Sequence, residues 1–311
     1  MTGDTGAGDT GAGDTGTGRP SAQIVRAGAL TTVQDRGRPG FGHLGVPPSG
    51  ALDRRAHALA NRLVGNDEDA ATLETTGDGV ALRVERASVV AVTGAAAPVR
   101  VDGRPARWNL PVHLGIGSLL EVGTAEVGVR CYVAISGGFD APRTLGSRST
   151  DLLSGLGPPP LRDGQRLALG PRAAVAPVVD LTPHLLSNGD LVLPLHPGPR
   201  RDWLAATATE RLFAQRYRLS PASNRVALRL VGHPIERARR DELPSEGIVW
   251  GAVQLLGNGE LLVFLADHPT TGGYPVVAVV DPAAAAECAQ ARPGAAVALR
   301  PAPRRSGGGR W

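Results

Sequence analysis

Short apolar runs recur along the chain, and turn residues punctuate them. Val80, Leu82 and Val84 alternate with polar or small residues, as do Val226, Leu228 and Leu230. A period of two places alternate side chains on one sheet face, so both segments predict half-buried strands. The runs at 129–135, 261–266 and 276–280 are almost wholly apolar and β-rich, which fits buried strands. A further strand is expected at 191–195. Pro98-Val99-Arg100-Val101 leads into Asp102-Gly103, with Ala106 and Trp108 beyond. Asp-Gly suits a two-residue hairpin turn. Two segments read as helices. Leu52, Ala56, Leu59, Ala60 and Leu63 fall at helical spacing, with Ser49 or Gly50 as the start and Gly65-Asn66 as the end. The second helix is expected over 202–215, anchored by Trp203, Leu212 and Phe213. The fold class is therefore mainly β with a few helices rather than an alternating α/β wind.

The organisation follows from where the pattern stops. Residues 1–18 repeat a Gly-Asp-Thr-Gly unit with nothing larger than alanine to bury, so a disordered tail is expected. A Pro/Ala/Val-rich stretch near 170–197 marks a boundary. The expected division is a domain over 19–185, a second over 186–303 and a tail over 304–311. Ser136-Gly137-Gly138-Phe139 follows one apolar strand, and Gly272-Gly273-Tyr274 follows another. This small echo suits two related β-barrel domains.

Composition narrows the chemistry. Glycine (42) and proline (26) fill about a fifth of the 311 residues, in keeping with many turns. All 33 basic residues are arginine. Without lysine there is no phosphate-loop lysine, no Schiff base and no attachment point for biotin. Two cysteines give neither a metal-ligand spacing nor a disulfide framework, and no metal site is expected. A net charge of +4 with interleaved acids and 4% aromatics does not suggest nucleic-acid binding. No apolar run reaches the ~20 residues of a membrane span, and no secretory apolar segment follows Met1. A cytoplasmic location is expected.

Four polar constellations stand out. Asp35-Arg36-Gly37-Arg38 opens a glycine-rich segment that passes through Ser49-Gly50 to Asp53 at the predicted helix start. Glycines let backbone N–H groups approach a ligand, and Asp35, Arg38, Ser49 and Asp53 supply polar chemistry. An Ω-like loop packed on its own turns is the alternative. Asp267-His268-Pro269-Thr270-Thr271-Gly272-Gly273-Tyr274 follows a predicted buried strand. Its acid, imidazole and hydroxyls either converge on a ligand at the strand end, or Asp267 caps an ordinary turn. Ser136-Gly137-Gly138 lacks the glycine two residues before serine that a nucleophile elbow needs, because residue 134 is alanine. Arg225 and Glu246 form the last group: an anion clamp with a base, or a buried pair bracing two loops.

Taken in order, these motifs resemble the biotin-dependent carboxyltransferase, or allophanate hydrolase subunit 2, family. The resemblance rests on Gln34-Asp35-x-Gly37-Arg38-x-Gly40, Ser49-Gly50-x-x-Asp53, Asn61, Asn66 and Glu74. It continues through Ser136-Gly137-Gly138, Leu145-Gly146-Ser147-Arg148-Ser149-Thr150-Asp151, Gly198-Pro199-Arg200, Ser223-Asn224-Arg225, Ser245-Glu246-Gly247 and 267–275. It implies two cyclophilin-like β-barrel domains and a subunit of an ATP-dependent 5-oxoprolinase that opens 5-oxoproline to L-glutamate. The implied partners are a subunit-1-type (KipI-like) protein and a LamB/YcsF-type subunit; ATP with Mg would be bound by the complex. It also allows carboxyl transfer from carrier-borne biotin to urea or a similar amide, or a KipA-like regulatory binding protein. Under the resemblance, Asp267, Asp35 and Glu246 are the catalytic candidates. Arg38, Ser49, Asp53, Arg225, Thr270, Thr271, Gly272, Gly273, Tyr274, Ser136 and Gly137 are the substrate or nucleotide candidates. Family members usually read Arg-Met-Gly where this chain has Arg225-Val226-Ala227, which removes a glycine's room for close backbone approach.

Overall fold

The computed structural model describes residues 19–172 and 190–303, which are mainly β with three α-helices. The repeat at 1–18, the boundary expected at 185 and the tail at 304–311 lie outside the described residues. The first half runs β1 (Ser21–Arg26), β2 (Leu30–Gln34), α1 (Arg54–Leu63), β3 (Thr72–Thr76), β4 (Ala81–Val84), β5 (Ser88–Ala96), β6 (Val99–Val101), β7 (Arg104–Ala106), β8 (Pro111–Leu114), β9 (Leu119–Val122), β10 (Val127–Ile135) and β11 (Arg166–Ala168). The second half runs β12 (Leu191–Pro197), α2 (Ala208–Ala214), β13 (Arg216–Leu219), β14 (Ala227–Val231), β15 (Glu246–Gly247), β16 (Ala252–Leu255), β17 (Leu261–Phe264), β18 (Thr271–Gly272), β19 (Val276–Val280), α3 (Pro282–Cys288) and β20 (Ala296–Pro301).

In the first half the strands sort into two sheets, β11-β1-β4-β9-β6-β7 and β2-β3-β10-β5-β8. Ile24, Leu82 and Leu120 from one sheet meet Val33, Leu73, Val133 and Ile135 from the other in a shared core. The opposite face of β10 carries Tyr132 and Ala134, which pack with Ala56, Leu59, Ala60 and Leu63 of α1. Strand β10 is thus covered on both faces, which accounts for its continuous apolar run. In the second half β12-β19-β16-β17-β14-β13-β20 closes into a barrel, with β12 and β20 paired in parallel. Its core includes Leu193, Leu228, Val263, Val277 and Leu299, and also Leu52, which reaches in from the first half and is 1% exposed.

Local chemistry explains where the elements begin. Asp102 and Gly103 both have positive φ (50° and 76°), the geometry of a turn that preserves strand twist. Helix α1 is capped by the Asp53 carboxylate, which accepts from the Ala56 N–H at 3.0 Å, not by Ser49 or Gly50. Those two residues lie at φ 52° and 94° and make a left-handed turn that cannot enter a helix directly. The helix expected over 202–215 is divided. A 3-10 turn covers Arg201–Trp203, Leu204 is extended and bridges Arg237, and α2 begins at Ala208. The bridge to Arg237 fixes an extended Leu204 where local pattern favours helix.

Candidate functional site

Strands β14 and β17 pair Ala227 with Phe264, and the pairing continues past the sheet. The Leu265 N–H donates to the Val226 carbonyl (2.9 Å), and the Asp267 N–H to that of Arg225 (3.2 Å). This register sets the two side chains side by side. Arg225 grips Asp267 with two parallel bonds, Nε to Oδ2 and Nη2 to Oδ1, each 2.9 Å. The same guanidinium reaches the first half, donating from Nη1 to Glu74 and from Nη2 to the Gly50 carbonyl (2.7 Å).

Glu74 is placed by the sheet. Its register neighbours are Thr32 on β2 and Tyr132 on β10. The Tyr132 hydroxyl donates to Glu74 Oε2 at 2.7 Å and accepts from the Asp53 N–H at 2.7 Å. The Leu52 N–H also donates to Glu74 Oε2. Ser49 Oγ donates to Asp267 Oδ1 at 2.7 Å, and the Leu152 N–H to Oδ2 at 3.1 Å. Gln290, just beyond α3, donates to Asp53 Oδ2 at 2.9 Å while its Oε1 accepts the Val129 and Arg130 N–H groups. Arg225, Asp267, Glu74 and Ser49 are each at most 1% exposed.

The electrostatics are those of fixed charges at the junction of the halves. Burial alone would raise the Glu74 carboxyl, but Arg225 and Arg130, with the Leu52 and Tyr132 donors, hold it below its ordinary value. Burial likewise opposes the Arg225 charge, yet Glu74 and Asp267 raise its pKa above the usual arginine range. Burial, then the Glu74 charge, pushes the Tyr132 hydroxyl well up, so it remains a neutral donor. Taking ions out of water costs several kcal/mol each, and only near-complete pairing offsets that cost. Asp267 meets this condition by accepting four donors. In this conformation its carboxylate is closed to a substrate.

Asp35 is fixed in the same way. Its Oδ1 accepts from Gly37 N–H (2.8 Å), Ser147 Oγ and Ser149 Oγ (2.6 Å each), and its Oδ2 from the Arg148 N–H. Arg38 is 1% exposed, with Nη2 on the Ser149 carbonyl and Nη1 unpaired among the described residues. Gly157 makes this packing possible: a Cβ there would lie 2.0 Å from the Ser149 oxygen and 3.1 Å from Arg38 Nη2.

A third group lies at the surface. Strands β15 and β18 pair Glu246 with Gly272 and Gly247 with Thr271. Glu246 is clasped by Arg200, not by Arg225. A Cβ on Gly45 would stand 4.0 Å from Thr270 Oγ1, so the glycine-rich segment of the first half reaches the Thr-Thr-Gly-Gly-Tyr loop of the second. Gly273 lies beside the Leu243 carbonyl, and Tyr274 is 48% exposed. Its sequence echo, Phe139, is 2% exposed.

Two clefts open beside the junction. One, about 460 Å³, is lined by Asp35, Arg36, Gly37, Arg54, Asp69 and Arg143, with flanking Pro39, Pro48 and Gly146. The other, about 430 Å³, includes Asn66, Asp67, Gly137, Gly138, Asp140 and Arg148. Asp69 and Arg143 line both, so the two form one groove.

The residues singled out from the sequence fall in three neighbouring environments. Asp35, Arg38, Ser49, Asp53, Arg225 and Asp267 are buried together around the junction, with Asp35 also bordering the groove. Glu246, Thr270, Thr271, Gly272, Gly273 and Tyr274 gather at the surface, and Gly137 lines the groove beside Ser136. Tyr132, Arg130 and Gln290 in the junction, and Arg36, Arg54, Asp69 and Arg143 in the groove, are not among them. Arg36 and Arg54 were within reach, since each adjoins an acid already singled out. Glu74 carries a further signal, a lone carboxylate within a Thr-Leu-Glu-Thr-Thr strand. Among the described residues no group of three or more His, Cys, Asp or Glu is arranged to hold a metal, and no helix is long and apolar enough to cross a membrane.

Comparison with known proteins gives consistent matches. The family model for the carboxyltransferase domain, subdomains A and B, matches residues 44–301. The chain is 37% identical over 263 residues to the C subunit of 5-oxoprolinase from Escherichia coli, covering 83% of this chain and 84% of that protein. It is 31% identical over 309 residues to urea amidolyase of Lachancea kluyveri, covering 90% of this chain but 17% of that protein. The crystal structure of Kluyveromyces lactis urea carboxylase superposes with a TM-score of 0.83 at 29% identity, over 93% of this chain and 28% of that one.

Proposed function

The chain belongs to the carboxyltransferase domain family, and from that premise we propose that it is a subunit of an ATP-dependent 5-oxoprolinase. The coarse role is a component of an amide-hydrolysing or amide-carboxylating enzyme system. The observation that carries the finer reading is the match to the 5-oxoprolinase C subunit over more than four-fifths of both chains, whereas the urea amidolyase match spans a small part of that protein.

The chemistry explains why a complex is needed. Hydrolysis of an unstrained lactam is unfavourable without activation. Phosphorylation of the amide oxygen makes its carbon electrophilic. One ATP and two waters are consumed, and ADP, phosphate and L-glutamate are released. The subunit-1-type and LamB/YcsF-type partners complete the reaction, and ATP with Mg binds the assembly. Within this chain the groove's arginines are opposed by aspartates, and there is no lysine, so a polyphosphate finds little net attraction here. The reading therefore assigns this chain substrate handling and places nucleotide contacts largely on the partners. The buried junction fixes the two halves so that the groove beside it keeps its shape.

The test is reconstitution of the full chain with its subunit-1-type and LamB/YcsF-type partners, followed by assay of glutamate release from 5-oxoproline. ATP-dependent release that avidin does not inhibit supports the reading. Avidin-sensitive carboxylation of urea or a similar amide would replace it with carboxyl transfer. Tight assembly that inhibits its partner without turnover would replace it with regulation.

A further inference from the structure

The groove has a charge pattern that the junction lacks. One cleft presents three arginines, Arg36, Arg54 and Arg143, against two aspartates, Asp35 and Asp69. Its neighbour reverses this, with Asp67, Asp69 and Asp140 against Arg143 and Arg148. One acid and one base, Asp69 and Arg143, are common to both and stand where the clefts meet.

Two of the groove's arginines are ion-paired, Arg36 with Asp69 and Arg148 with Asp140, while Arg54 and Arg143 are not. Arg143 is exposed and makes no hydrogen bond or ion pair to any described residue. The Arg54 guanidinium lies over the Trp250 ring of the second half, 4.6 Å from its centroid, an arrangement that orients it without cancelling its charge. Burial, then the neighbouring Arg36 charge, pushes the Arg54 pKa down. Arg36 is paired with Asp69 at 3.3 Å, and both are exposed. The Asp35 carboxylate is occupied by internal donors. Three guanidiniums from three separate segments thus face one concave space.

From this we infer that the meeting point of the two clefts is a binding site for a small carboxylate that carries an N–H group, with Arg143 receiving the carboxylate and Asp69 accepting the N–H at Oδ2, since its Oδ1 is held by Arg36. The identification with 5-oxoproline, or with its product L-glutamate, rests on the functional reading above. The charge pattern selects this class over phosphate. A polyphosphate would bring several negative charges toward Asp67, which has no ion-pair partner among the described residues, and toward Asp69 and Asp140, whose arginine partners are already engaged. A single carboxylate flanked by an amide N–H or an ammonium finds a partner of opposite sign at each end. Guanidinium–carboxylate contacts are charge-assisted and geometrically specific.

Isothermal titration of the full chain with 5-oxoproline, L-glutamate and inorganic phosphate tests the site. KM and kcat of the reconstituted complex form a second readout. Arg143→Ala is expected to weaken binding and to raise KM by about tenfold or more, with kcat less affected and the melting temperature unchanged. Asp69→Asn is expected to give a smaller loss of the same kind. Unaltered binding and KM in Arg143→Ala would overturn the inference, as would absence of binding by the wild-type chain together with an unaltered KM. Phosphate binding that displaces 5-oxoproline and is lost in Arg143→Ala would make this an oxyanion site and overturn the assignment to an amino-acid-like carboxylate. A complex that lacks 5-oxoprolinase activity while the chain still binds these carboxylates through Arg143 would refute the functional reading and leave the site standing.

Discussion

The junction and the groove are built from the same residue types, yet they meet water differently. At the junction Arg225 spends its donors on Asp267, Glu74 and a backbone carbonyl, all at most a few per cent exposed. In the groove Arg143 is exposed and has no partner among the described residues. The lesson is that a guanidinium–carboxylate motif does not by itself mark a binding site. What separates bracing from binding is whether the donors are already committed. The junction's charges are closed to ligand, whereas the groove keeps Arg143 open beside the paired Arg36–Asp69 and Arg148–Asp140.

Arg225→Ala is expected to have the largest effect. It strands two buried carboxylates, so urea titration should show a loss of about 3–5 kcal/mol. A loss under about 1 kcal/mol would mean that the junction is not bracing the halves. Asp267→Asn keeps the shape but removes the charge, and a smaller loss of about 1–3 kcal/mol is expected. If this variant instead unfolds like the wild type while its complex loses turnover, Asp267 acts in catalysis and the closed conformation opens during the cycle.

Acid should also separate the regions. Burial lowers the pKa of His57 and His268, so the unfolded chain takes up protons that the folded chain refuses. Stability present above about pH 6.5 is lost as the pH falls toward the lower folded values. The depressed Glu74 carboxyl repeats the pattern below about pH 4.3, with loss continuing as the pH falls through its folded value. Denaturation midpoints that stay flat from pH 7 to 5 would contradict the first step. Arg225→Ala should shrink the second. Arg143→Ala should change unfolding by no more than about 0.5 kcal/mol, in contrast to its effect on ligand. The smallest effect is expected at the half-buried surface pair Arg200–Glu246, where Glu246→Gln should shift the melting temperature mainly at low salt.

Much of the fold was legible because local and tertiary demands agree. The Asp102-Gly103 turn, the α1 stripe and the β10 and β19 runs all appear where the pattern places them. The break at Leu204 was not, because it depends on a bridge to Arg237, far along the chain. Helix α3 carries a local signal of its own: Asp281 caps it and Pro282 opens it. Of the site, the sequence exposed residue types but not their commitments. Arg225 could be paired on paper with Glu246, yet backbone register gives it to Asp267, and the sheet brings up Glu74. The groove's Arg143 stands in no conspicuous motif of its own. Its interest comes from emptiness around it, which sequence does not encode locally.

Leu52 and Glu74 also impose a schedule on synthesis. Both lie in the first half, but Leu52 is covered by the barrel core, and Glu74 is neutralised in part by Arg225. A ribosome moving at roughly 5–20 residues per second needs on the order of ten seconds or more to pass from Glu74 to Asp267. Until then an apolar plug and a buried carboxylate await cover, with Arg130, 3.7 Å from Glu74, as the cation already on hand. The nascent first half therefore leaves both groups uncovered until the barrel closes over them.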